Sequence, residues 1–196
     1  MGKIRLLVFL VILPGIMAQA QKTPRNTEIL AYFEDTKVLV DERDRLAELF
    51  ETGLEQKYDK GQLTVKFCGD DDKYLNGWIN TSTAGYLASV QLLNNGWQVE
   101  RSFKVPFTFF IYRNNYTLEA FVRVYSRSKH DPVLKKTYKI KIGGPRVYQF
   151  FDKNPHDGGL FVTYGERLEK QKEAEQKLMA SFVDDMISVL KKYEDR

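Results

Sequence analysis

Alternating and helically spaced apolar residues divide the chain into a small set of elements. Between Ile29 and Val40 the residues Leu30, Tyr32, Val38 and Val40 fall on alternate positions, which predicts a first strand interrupted at Glu34-Asp35. Asp41 then stands as an N-cap, Glu42 and Asp44 place negative charge in the first turn, and Leu46, Leu49, Phe50, Leu54 and Tyr58 follow at helical spacing. Gly61 stops that helix. Leu63, Val65 and Phe67, alternating with Thr64, Lys66 and Cys68, predict a strand that puts the lone cysteine opposite the apolar face.

The stretch from Tyr86 to Phe103 reads two ways: Leu87, Val90 and Leu93 suit a helix, whereas Asn95-Gly96 between apolar runs suits a hairpin, the reading preferred here. Phe107, Phe109 and Ile111 run up to Asn114-Asn115, and Leu118, Ala120, Val122 and Val124 run away from it, predicting a second two-residue hairpin. Leu134, Tyr138, Ile140 and Ile142 make a further strand closed by Gly143-Gly144-Pro145, which Tyr148, Phe150 and Phe151 could extend. A terminal helix is predicted from about Glu166 to Tyr193. Its first half is almost all charge, while Met179, Phe182, Val183, Met186, Leu190 and Tyr193 form a stripe that can pack. The order of elements implies an α+β two-layer sandwich, a mostly antiparallel sheet with two helices packed on one face.

The N-terminus changes the picture from a plain domain to an exported one. Lys3 and Arg5, the apolar run Leu6 to Leu13, the Pro14-Gly15 break and Ala18-Gln19-Ala20 are the parts of a cleavable signal peptide in order, so residues 1–20 are expected to be removed. Residues 21–28 would follow as a flexible segment and 29–196 as one domain, working in the periplasm or outside the cell. No cysteine stands at the cleavage point, so no lipid anchor is expected, and no later run is long and apolar enough to span a bilayer as a helix. The 30 basic and 26 acidic residues give a formal charge of +4, of which Lys3 and Arg5 leave with the signal; so mild a balance gives no reason to invoke nucleic acid. The single Cys68 allows no intramolecular disulfide and is expected to be buried or unreactive.

Catalytic chemistry finds little support. The two histidines, His130 and His156, each lie in a Pro-bearing turn without a serine or cysteine partner pattern; no glycine-rich phosphate loop and no zinc spacing occur. The adjacent carboxylates Asp70, Asp71 and Asp72 point apart, and Asp152, Asn154, Asp157 and Gly158 miss the ligand spacing and the twelfth-position glutamate of a calcium loop. No metal or other cofactor is expected. Asn80-Thr81-Ser82 and Asn115-Tyr116-Thr117 are glycosylation sequons that would matter in a eukaryotic secretory pathway.

A second sheet face is more informative. Across the predicted Asn114-Asn115 turn, Phe110 and Tyr112 fall beside Glu119 and Thr117, with Phe121, Arg123 and Tyr125 beyond them and Lys135, Lys139 and Lys141 from the next strand on the same side. Rings interleaved with cations suit an anionic amphiphile or an envelope protein partner. The binding residues expected are Phe110, Tyr112, Phe121, Arg123, Tyr125, Lys135 and Lys139.

The order of first strand, helix at Asp41, central hairpin and terminal helix, together with Phe150-Phe151-Asp152-Lys153-Asn154-Pro155 between the last strand and that helix, resembles the LptE component of lipopolysaccharide assembly and the auxiliary proteins of lipid transporters. The resemblance implies a role in outer-membrane assembly or transport, and no functional residue is carried over from it. The expectation is a non-enzymatic, exported binding or assembly module of the cell envelope. Its alternatives are a secreted hydrolase using Asp70, Asp71, Asp72 or His156, and a glycosylated eukaryotic secreted binder.

Overall fold

A computed structural model describes residues 25–33, 40–59, 61–68, 83–105, 109–129, 131–150 and 163–194. The predicted signal peptide, the Asp70 to Asp72 and Asp152 to Gly158 loops, both histidines, the Asn80 sequon and the Glu34-Asp35 interruption lie outside them.

The elements follow in the order β1 (Arg25–Phe33), α1 (Val40–Lys57), β2 (Gly61–Cys68), β3 (Tyr86–Val105), β4 (Phe109–Ser126), β5 (Leu134–Phe150) and α2 (Tyr164–Glu194). They form the expected α+β sandwich: one open sheet in the order β2-β1-β3-β4-β5, with both helices on one face. The sheet is mixed. β1 pairs in parallel with β2 and with β3, over Arg25 to Tyr32 and Ile29 to Phe33 respectively, while the longer β3–β4 and β4–β5 pairings are antiparallel.

The core lies between sheet and helices. Ile29, Ala31 and Phe33 of β1, Val65 of β2 and Leu118, Ala120, Val122 and Val124 of β4 meet Leu46, Phe50 and Leu54 of α1 and Leu178, Phe182, Met186 and Leu190 of α2. Phe50 and Phe182 stack at 4.6 Å between ring centroids, at 7° between planes, so the two helices are joined through aromatic faces. The apolar stripe of α2 is buried from Ala174 onward and no residue of Tyr164 to Glu173 is, as the charge pattern implied. Thr163 caps α2 reciprocally with Glu166: the Thr163 N–H donates to Glu166 Oε2 at 2.9 Å, and the Glu166 N–H to Thr163 Oγ1 at 3.3 Å. On β1 the inward residues are Ile29, Ala31 and Phe33, not the alternate set Leu30 and Tyr32 expected from the pattern; both sides of this central strand are apolar, so alternation could not tell them apart.

Both predicted hairpin turns are overturned. β3 runs through Asn95-Gly96 and β4 through Asn114-Asn115, and the two strands reverse between Val105 and Phe109, which pair with each other. Likewise β5 runs through Gly143-Gly144-Pro145 to Phe150. Such residues are turn formers in short strands, but here they lie inside strands of 17 to 20 residues, and at Gly143 and Gly144 the missing side chain makes room for neighbours. A Cβ on Gly143 would stand 2.6 Å from the Arg113 guanidinium, and one on Gly144 would stand 2.4 Å from the Asn114 carbonyl oxygen and 2.8 Å from the Trp97 ring. The glycines admit their neighbours rather than bend the chain. Asn115 is satisfied inside the sheet, its Nδ2 donating to Glu100 Oε2 at 3.1 Å. At 3% exposure this asparagine has no room for a glycan, which removes the second sequon from consideration.

The pairing of β3 with β4 also shifts register at Leu92/Asn94 and Arg101/Phe103, with the extra residue on β3 each time. Upstream of the first shift, Val90 and Leu92 belong to the helix-facing core; downstream, Asn95 and Trp97 sit opposite Leu118 and Tyr116. Leu87, Val90 and Leu93 imitate helical spacing although they share no face: Leu87 is buried on the outer side, Val90 in the helix-facing core, and Leu93 is the exposed extra residue at the first shift.

Candidate functional site

With β4 continuous, strand parity decides which of the expected binding residues can share a face. Leu118 to Val124 turn their even-numbered side chains to the helices, and Glu119, Phe121, Arg123 and Tyr125 face the other way. Tyr112 is on the even phase and only 2% exposed, so it does not join Phe121, contrary to the expectation built on a turn at Asn114-Asn115. Phe110 pairs through its backbone with Lys104 and Gln149, and its side chain lies outside the described part.

Phe121, Arg123 and Lys135 are brought together. The half-buried Phe121 ring has the Arg123 guanidinium carbon at 5.6 Å and the Lys135 ammonium at 5.9 Å from its centroid, both within cation–π range. Arg123 and Lys135 are register partners across β4 and β5. Lys139 lies on the same face with Glu119 3.4 Å away, and Lys141 pairs with Glu100. Among the described residues the exposed Lys135 has no carboxylate within ion-pair distance, which leaves its charge available to an anion.

Tyr125 belongs to a second group on the outer face. It packs against Leu30 and Tyr32 of β1, Ala84 and Leu87, all buried. Beyond them Lys66 pairs with Glu28, which also accepts from Thr83 Oγ1 at 2.7 Å; these two bonds hold the Glu28 carboxyl below the usual range. The outer face thus grades from an apolar cluster over β1 and β3, through Tyr125 and Phe121, to a lysine-rich rim on β5. Leu30, Tyr32 and Leu87 were missed as outer-face residues by sequence reasoning, although the unbroken apolar run from Ile29 to Phe33 signals a strand covered on both sides.

The other polar concentration sits on the helix side. Arg45 on α1 donates from Nε and Nη2 to the two oxygens of Glu175 on α2, at 3.1 and 3.0 Å, and Gln171 Nε2 donates to Glu175 at 2.9 Å and to Glu42 at 3.4 Å. Asn95 Nδ2 donates to Glu42, and the Tyr116 hydroxyl donates to Asn95. Burial, and then the Glu175 charge, push the Glu42 carboxyl up; burial also pushes the Tyr116 phenol well up. Sequence reading placed Glu42 only as negative charge in the first turn of the helix. The overlooked signal is that the α2 stripe, continued back from Phe182 and Met179, lands on Glu175.

Lower on α2, Asp185 accepts from Lys136 at 2.6 Å and from Tyr138 at 2.5 Å. Burial alone would raise its carboxyl, but these two bonds outweigh burial and hold it low. Among the described residues no three His, Cys, Asp or Glu side chains gather as a metal set, and no helix is long and apolar enough to cross a membrane. Asp70, Asp71, Asp72 and His156, on which a hydrolase would depend, lie outside the described residues. The Cys68 backbone ends β2 opposite Tyr32, and its side chain is also outside them.

No family model and no curated protein matches the sequence. Solved structures do match. A Xanthomonas campestris protein of the DUF330 family superimposes with a TM-score of 0.50 at 8% identity, covering 88% of this chain and 90% of that one. The minor lipoprotein of Acinetobacter baumannii gives 0.42 at 9% identity, over 81% and 91% of the two chains. Rare lipoprotein B of Shewanella oneidensis gives 0.38 at 15%, over 86% and 99%. At these identities the likeness is one of fold.

Proposed function

We propose that this chain is an exported, non-enzymatic binding module of the cell envelope that holds an anionic amphiphile on the outer face of its sheet. The observation that carries this reading is the half-buried Phe121 ring with the cross-strand pair Arg123 and Lys135 both within cation–π range of it, on a face that neither helix covers. An aromatic face beside cations offers an acyl chain apolar contact and an acidic head a charge partner, and the lysine rim of Lys135, Lys139 and Lys141 would draw such a head electrostatically. The leader-like start at Lys3 to Ala20 supports export, and the lack of an assembled nucleophile, base and orienting group in the sequence motivates a binding role. Assistance to outer-membrane assembly is the finer form of this reading, drawn from the likeness to LptE.

Cosedimentation with vesicles tests it. The mature protein should sediment with vesicles of anionic phospholipid and not with zwitterionic ones, and the binding should weaken as salt rises. Phe121→Ser combined with Lys135→Glu should abolish sedimentation while leaving circular dichroism and the unfolding midpoint nearly unchanged. Equal sedimentation of variant and wild type, or none with either vesicle, would overturn the assignment.

A further inference from the structure

Two buried carboxylates and one partly exposed guanidinium meet where α1, α2 and the sheet come together. Glu175 is 1% exposed and Glu42 4%. Arg45 commits two donors to Glu175, whereas Glu42 receives, among the described residues, only the neutral amides of Asn95 and Gln171. The cluster therefore holds one negative charge too many for its cation if both carboxyls ionise. We propose that Glu42 is a proton-operated latch that seats the first half of α2 against α1 and the sheet, closed when its carboxyl is protonated and loosened when it ionises.

The position of the cluster gives the proton this leverage. Residues Tyr164 to Glu173 include no buried side chain, and Tyr164 is 82% exposed, so this half has no apolar anchor of its own. Gln171 is where it reaches across, bridging Glu42 on α1 and Glu175 one turn further along α2. The chain of bonds then runs from Glu42 to Asn95 on β3 and to Tyr116 on β4, whose ring packs edge-on to Trp97 at 5.6 Å. One carboxyl thus ties two helices and two strands.

The charged and titratable groups facing Glu42 are Arg45 from α1, itself influenced by Asp41, Glu175 from α2 and Tyr116 from β4, with Asn95 the contact from β3 and Gln171 the neutral contact from α2. Burial first, and then the Glu175 charge, oppose the ionised form; the bonds from Asn95 and Gln171 and the Arg45 charge favour it, and the opposition prevails. A carboxyl whose folded value is raised binds its proton more tightly in the closed state. Its contribution is therefore full below the ordinary glutamate range and is lost as pH rises through the raised value.

Amide hydrogen exchange on the whole mature chain, corrected for intrinsic rate, tests the latch. Between pH 5 and pH 8, protection of residues 167–173 should fall by about tenfold for each pKa unit separating the closed and open carboxyl, while protection of 182–190 stays level. Glu42→Gln keeps the acceptor without the charge and should hold the first half protected at both pH values. A matching loss in wild type and Glu42→Gln, or no loss in wild type, would overturn the latch. Should the variant fail to fold, a carboxyl carbon-13 titration of Glu42 in the wild-type chain decides: a midpoint above the ordinary range supports the latch, and one at or below it overturns it.

Discussion

Alternate residues of β4 live under different physics. On the helix side Leu118, Ala120, Val122 and Val124 are wholly buried in one continuous core; on the other side Glu119, Phe121, Arg123 and Tyr125 are half covered and held by an ion pair, cation–π contacts and a small apolar cluster. Burial of a full side chain contributes roughly 1.5–3 kcal/mol, whereas an exposed ion pair contributes about 0–1. The comparison teaches that on β4 the inner residues carry the core, while Glu119, Phe121 and Arg123 on the outer side are held by weaker contacts and can change at lower cost.

Substitutions across the two faces can break that division. Phe182→Ala should have the largest effect, about 3–5 kcal/mol by denaturant unfolding, because it removes the stack on Phe50 and the tilted contact with Tyr138 together. Arg45→Ala should follow at about 2–3 kcal/mol, since it strands the buried Glu175 carboxylate without its cation. Tyr138→Phe, losing only its hydrogen bond to Asp185, should cost about 1 kcal/mol. Phe121→Ser on the outer face should cost less than about 1 kcal/mol, and Glu169→Ala, on the unanchored half of α2, less than about 0.5. A Phe121→Ser penalty as large as that of Phe182→Ala would make the outer face a second core and remove the basis for a binding surface there.

Much of the scaffold was legible because its helices obey simple rules. Leu46, Phe50 and Leu54 on α1, and Phe182 through Leu190 on α2, are apolar only where they touch the sheet. The long strands were harder to read. A residue pair such as Asn114-Asn115 or Gly143-Gly144 looks the same in a turn and in a crowded central strand, and only its neighbours across the sheet, Glu100 for Asn115 and Trp97 for Gly144, distinguish the two. Phe121, Arg123 and Lys135 were nevertheless grouped correctly, since their relation depends on parity within β4 and on pairing with β5. Tyr112 was misplaced because a turn between it and Phe121 would have reversed that parity. The Glu42 cluster was invisible for a different reason: it joins residues 42, 95, 116, 171 and 175, and no local pattern marks a contact of that range.

The short parallel pairing of β1 with β3, only Ile29 to Phe33 against Tyr86 to Val90, is a seam between two pieces of differing origin in the chain. On one side β1, α1 and β2 form a unit from adjacent sequence; on the other, β3, β4 and β5 form a meander that can zip from its own turns. Joining them closes a loop of more than fifty residues for the sake of five, so loop-closure entropy falls on this one step. During synthesis the first unit emerges with β1 lacking its second neighbour, and its open edge is satisfied only once β3 arrives.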